Sequence, residues 1–232
     1  MLVSGALGAQ NPVDSVARTA PLSFPARHPR ATVATELLAS TATIGLFDKS
    51  LAQETQKFRD GSGAGLQRAS RFASSVGGYL PLAVGGAMAL TGWATHHDFT
   101  RNLGTDVIKA VVASGLVTTA IKGTVGRARP RAVIDDPDKF SVGRGFSNND
   151  LASFPSGHVS AAFAGAMVLA SELSKDHPAH SKWIRVGIFG AATAIGYYRM
   201  YENAHWASDV YAGAAIGTLS GMWIVRQRNA KK

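Results

Sequence analysis

The chain has 232 residues, 46% apolar and only 17% charged, with a formal charge of +9 and no cysteine. That length suits one well-cored domain, the low charge and abundant Ala and Gly suit close-packed helices, and the absence of thiols excludes disulfides and cysteine-ligated metals. The positive charge does not indicate nucleic acid, since the chain has no basic helix, no nucleic-acid motif and no basic run interleaved with aromatics; it suits anionic lipid headgroups or phosphorylated substrates.

In chain order, residues 1–31 carry Pro12, Pro21, Pro25 and Pro29 among scattered Arg and polar residues and read as a loosely attached or disordered arm. Its first nine residues resemble the tail of a secretory signal. A single helical domain is expected over 32–232, beginning with a short, weakly apolar helix at 33–47 that contains Glu36. Residues 48–75 have an amphipathic pattern around Leu51, Phe58, Leu66 and Phe72, broken at Gly61-Ser62-Gly63, as in a pair of surface or interfacial helices. Residues 75–95 form the longest uncharged stretch, about the length that crosses a bilayer, and end at Trp93 and His96-His97-Asp98. Adjacent residues on a helix point in different directions, so that last trio reads as an interfacial polar cluster rather than a metal site.

A third helix is expected at 105–122, then a long polar loop at 123–154, then helices at 157–173, 183–198 and 206–226. Lys175-Asp176-His177-Pro178 stops the first of these, and Gly213, Gly217 and Gly221 lay a small-residue stripe along the last. The expected fold is all-α, a six-helix antiparallel bundle with the active site at one end.

Phe154-Pro155-Ser156-Gly157-His158 reads as a helix start, with Pro155 suited to the first turn, Ser156 to the cap and Gly157 to close backbone approach. Its first amides would face an anion such as phosphate, and His158 would stand beside it as a proton donor; an ordinary capped helix start with an idle His is the alternative. In an antiparallel bundle, the ends of helices three and five and the starts of four and six share one end. That gathers Lys122, Arg129, Ser156, Gly157, His158, Arg199, His205 and Asp209. His205 and Asp209, four apart, would share a helix face, and the carboxylate could fix the imidazole tautomer for nucleophilic attack; a surface contact or helix cap is the plain alternative for such a pair. Lys122, Arg129 and Arg199 offer fixed positive charge to phosphoryl oxygens, though any one of them taken alone reads as a solvated or lipid-facing charge, and Arg127, Arg131 and Arg144 keep that plain reading.

Lys122, six residues, Arg129-Pro130; Pro155-Ser156-Gly157-His158; and Arg199, five residues, His205, three residues, Asp209 together resemble the three-part signature of the type 2 phosphatidic acid phosphatase and vanadium haloperoxidase superfamily. One departure is Tyr198, where that family usually has Ser. The resemblance implies that His205 attacks phosphorus to form a phosphohistidine and Asp209 orients it. By the same resemblance His158 protonates the leaving group, and Lys122, Arg129, Ser156, Gly157 and Arg199 hold the phosphoryl oxygens. No metal or other cofactor is implied, and vanadate should occupy the same cradle. The implied activity is a phosphatase acting on a phosphate monoester or diphosphate, of a lipid such as phosphatidate, a polyprenyl diphosphate or lipid A. A soluble periplasmic acid phosphatase acting on small phosphomonoesters, a vanadium haloperoxidase and a non-enzymatic anion-binding membrane protein are the alternatives, in that order. The expected location is a bacterial-type inner membrane with the active site facing the periplasm, or else the periplasm itself.

Overall fold

The computed structural model describes residues 29–230. The expected arm lies outside them except for its last three residues, which begin a helix, and the signal-like residues 1–9 lie outside them altogether. The first described helix is α1 (Pro29–Gly45), and the remainder of the architecture belongs to the compact unit Ala39–Lys232.

The described residues are all-α, with no pairing of strands beyond one isolated bridge between Arg127 and Phe140. They contain nine helices, against six expected. Two of the additional ones are the amphipathic pair, α2 (Asp48–Asp60) and α3 (Ala64–Val76), and the third is a single turn, α6 (Pro130–Val133). The uncharged stretch at 75–95 is not one helix. It breaks after Val76, and α4 (Leu80–Ala94) leaves at 57° to α3. Pro81 in the first turn of α4 lacks an N–H, so its amide makes no bond back into α3.

His97 caps the next helix, α5 (Asp98–Val125), its Nδ1 accepting from the Thr100 amide at 3.3 Å, while Asp98 pairs with Arg101 at 2.8 Å. The His-His-Asp trio is therefore a helix start. α5 continues for 28 residues, on the order of 42 Å. It is closed by Gly126, whose φ of 63° is a left-handed conformation that a side chain would strain. Among the described residues it is the one straight helix long and apolar enough to cross a membrane; the bent α3–α4 pair passes the same test together.

The centre of the bundle is α7 (Gly157–Asp176), wrapped by α5, α8 (Ser181–Tyr201) and α9 (Ala207–Asn229). Leu103, Val107 and Val111 of α5 meet Ala161, Ala164 and Val168 of α7 and Ile224 and Val225 of α9 in the main core. A smaller cluster joins Ala162 and Ala166 to Ala192 of α8. The glycine stripe of α9 sets its separation from α7: a Cβ on Gly217 would lie 2.2 Å from the Ser160 carbonyl oxygen, and one on Gly213 2.5 Å from that of Ser156. This close fit fixes the starts of α7 and α9 against each other, and the Ser156 amide donates to the Asp209 carbonyl at 3.0 Å.

The loop from 126 to 156 is held down by the chain's own amides. Ala128 donates to Lys139, Ser141 to Gly126, Arg129 to Asp150 and Ser153 to Arg127, all between 2.9 and 3.0 Å. Its length, unusual for a loop without regular structure, is thereby folded over the end of the bundle.

Candidate active site

The residues singled out in the sequence lie at one end of the bundle. Lys122 is in the last turn of α5, Arg129 immediately precedes α6, Ser156 immediately precedes α7 with Gly157 and His158 following, Arg199 is in the last turn of α8, and His205 and Asp209 flank the start of α9.

The His205 ring is buried. Nη1 of Arg129 lies 3.3 Å from its Nε2, and a guanidinium can only donate, so Nε2 presents a lone pair and the proton sits on Nδ1. Burial, reinforced by Lys122, Arg129 and Arg199, holds the imidazole well below its ordinary pKa and keeps it neutral at pH 7. Arg129 itself is anchored by the Ala204 carbonyl at 2.8 Å and by the Asn149 carbonyl and side chain at 2.8 and 3.1 Å. Burial, then the charges of Arg131 and Arg199, push its pKa down to about 10, so it stays a cation at neutral pH. Lys122 donates to the Ala152 carbonyl at 2.8 Å.

Two local expectations are corrected. His205 is not on the helix with Asp209; it precedes the cap residue, Trp206, and Asp209 is the third helical residue. The Asp209 carboxylate caps the helix, accepting from the Trp206 amide at 2.9 Å and from the Ser153 hydroxyl, and its Oδ2 lies 3.6 Å from His205 Nδ1, beyond hydrogen-bond range. Ser156 occupies the cap position of α7, but its hydroxyl caps nothing; it is buried and without a partner.

Buried polar groups normally find partners, and exceptions require a reason. Six such side-chain atoms are unpaired among the described residues, and three of them, Ser156 Oγ, Arg199 Nε and His205 Nδ1, belong to this group. Ahead of Gly157, a Cβ would meet nothing within 4 Å, which leaves the amides at the start of α7 approachable. His158, half-buried, packs its ring on the break between α3 and α4, where a Cβ on Gly78 would come within 2.7 Å of it. A neutral imidazole whose Nε2 lone pair is held only by the long contact to Arg129, three surrounding cations, a hydroxyl and a helix N-terminus can accept a phosphoryl group and stabilise its negative charge.

Arg127 was expected to be a solvated or lipid-facing charge and is instead buried, bridging Asp48 and Asp209 at 2.8 Å to each. Asp48, Ser153 and Ser208 belong to the same network, and the sequence pattern singled out none of them. The signal available for Arg127 was its place within Gly126-Arg127-Ala128-Arg129-Pro130; Asp48 looks like an ordinary acid at a helix start. Arg131, by contrast, pairs with Asp150 at 2.6 Å in the open.

A family model described as the PAP2 superfamily matches residues 103–232. The lipid A 1-phosphatase of Porphyromonas gingivalis is 40% identical over 84 residues, 36% of this chain and 18% of that protein. Lipid phosphate phosphatase 1 of Arabidopsis thaliana is 34% identical over 137 residues, 51% of this chain and 42% of that protein. The chain thus spans less than half the length of either relative. The crystal structure of a transmembrane PAP2-type phosphatidylglycerolphosphate phosphatase from Bacillus subtilis superposes with a TM-score of 0.65 at 19% identity, over 88% of this chain and 98% of that one.

Proposed function

The chain belongs to the PAP2 superfamily, and on that premise we propose that it is a metal-independent lipid phosphatase working through a phosphohistidine. The observation that carries the reading is the buried, neutral His205 with its Nε2 lone pair exposed to the ring of cations Lys122, Arg129 and Arg199. In the first step the Nε2 pair forms a bond to phosphorus while the bond to the leaving oxygen breaks, and His158, entering as an imidazolium, gives its proton to that oxygen and is left neutral. Burial and the charges of Arg199, Lys122 and Arg129 push the His158 pKa down to about 4, so the ring takes up that proton beside the negative charge of a bound phosphoryl group. In the second, water attacks phosphorus, His158 takes the water's proton, and the phosphorus–nitrogen bond breaks to return the pair to Nε2. Ser156, the Gly157 amide and the three cations hold the equatorial oxygens in both steps. Asp209 lies behind Nδ1 as the fixed negative charge that steadies the ring when phosphorylation makes it cationic.

A phosphorylated lipid as substrate is supported by the names of the two relatives and by the surface of the bundle. Leu90, Trp93, Leu116, Trp183 and Trp223 are exposed around it, as suits helices set in a bilayer. The test is phosphate release by detergent-extracted protein from phosphatidate, a polyprenyl diphosphate, lipid A and small soluble phosphomonoesters. Turnover of one or more lipids well above the soluble esters is expected; preference for the soluble esters would overturn the lipid assignment, and no release from any would overturn the phosphatase.

A further inference from the structure

Asp48 opens α2, outside the matched family region, yet both of its oxygens reach the start of α9. Oδ1 accepts from the Ser208 amide at 2.9 Å, and Oδ2 accepts from the Ser208 hydroxyl and from Nη2 of Arg127 at 2.8 Å. Arg127 in turn gives Nη1 to Ser208 Oγ at 2.7 Å and to Asp209 Oδ1 at 2.8 Å, and Nε to the Pro137 carbonyl at 2.9 Å. The guanidinium lies 5.5 Å from the ring centroids of both Phe140 and Trp206, which restrict its plane. Each of the three guanidinium nitrogens of Arg127 is therefore engaged within this network.

We propose that Arg127 and Asp48 are positioning residues for the reaction: together they hold the Asp209 carboxylate in the orientation from which it steadies His205. The proposal rests on the phosphatase reading above. The reasoning is geometric. Asp209 is fully buried, and a buried carboxylate with one oxygen unpaired is costly and free to rotate. Its Oδ2 is occupied by Ser153 and the Trp206 amide, so Arg127 alone among the described residues fixes Oδ1. Asp48 supplies the counter-charge that keeps Arg127 in line and ties down the amide of Ser208, the residue from whose neighbour the Asp209 side chain departs. Two carboxylates on one guanidinium also leave net negative charge beside His205, where the cationic phosphohistidine forms.

The experiment is a double-mutant cycle on the full chain in detergent, with an aryl phosphate as substrate and helical circular dichroism and melting temperature recorded for each variant. Asp48→Asn should lower kcat about 10-fold and Arg127→Gln about 100-fold, with KM within about twofold. In the Asp209→Asn background, Asp48→Asn should cost nothing further, because the group it serves is already neutral. A scaffold role would lower the melting temperature and give the same fold-loss in both backgrounds. Unchanged kcat, or equal losses in the two backgrounds, overturns the proposal; should Arg127→Gln not fold, the Asp48 cycle decides alone. An inactive wild type would sink the phosphatase reading together with this one, whereas an active wild type with an indifferent Asp48→Asn sinks only this one.

Discussion

His205 and His158 carry the same ring in different surroundings, and their assigned roles separate by leaving group. His205→Ala should abolish turnover and phosphoenzyme together, since no bond to phosphorus can form. His158→Ala should retain relatively more activity on a nitrophenyl phosphate, whose leaving group departs without a proton, than on a lipid alcohol phosphate. Parallel losses on the two substrates would refute the acid role. His205 also links stability to pH. Its folded pKa lies below the unfolded value of about 6.5, so its contribution is complete above that pH and is lost as pH falls from there, by up to about 1.4 kcal/mol per unit. Melts at pH 7 and pH 5.5 should show a larger drop for wild type than for His205→Gln; equal drops would contradict a ring buried neutral. The gathering of the candidate site residues at one end of the bundle was legible because phosphoryl chemistry restricts residue type and the triplet spacing is rigid. Arg127 and Asp48 were not, because what fixes their surroundings is contact across 79 residues of sequence.

Among the elements, the stripe of Gly213, Gly217 and Gly221 was legible as a close-contact seam, and it carries a prediction of its own. Gly217→Ala should destabilise by about 1–3 kcal/mol, since its Cβ would fall on the α7 backbone. Gly187→Ala on α8, where a Cβ meets nothing within 4 Å, should be neutral or stabilising by up to about 1 kcal/mol. The melting temperature should fall for Gly217→Ala and hold or rise for Gly187→Ala, and a fall of similar size in both would remove the seam argument. The long helices at the core were readable from apolar run length. The break between α3 and α4 was not, because the uncharged run continues through it and only Gly77, Gly78 and Pro81 mark the bend. The loop at 126–156 looked shapeless for a related reason: its order comes from backbone amides and from Lys122, Arg127 and Arg129 bonding its carbonyls, pairings that leave no periodic side-chain pattern.

For the molecule as a whole, charge compensation by Lys122, Arg129 and Arg199 predicts activity that survives EDTA, and inhibition by vanadate, a five-coordinate mimic of phosphorus in transfer. Loss of turnover on chelation, restored by a divalent ion, would contradict the mechanism. The Asp48–Arg127–Asp209 network also bears on how the chain reaches its native state. Asp48 meets Arg127 across 79 residues and Ser208 across 160, so the network closes only after widely separated segments have found one another. Such late, long-range closure slows folding relative to local helix formation. A chain interrupted before α9 would hold Arg127 and Asp48 against an absent partner, with a charged pair and an apolar seam on α7 both uncovered. Quality-control proteases would meet that intermediate as an open substrate, and competence for catalysis and resistance to degradation would arrive in the same step.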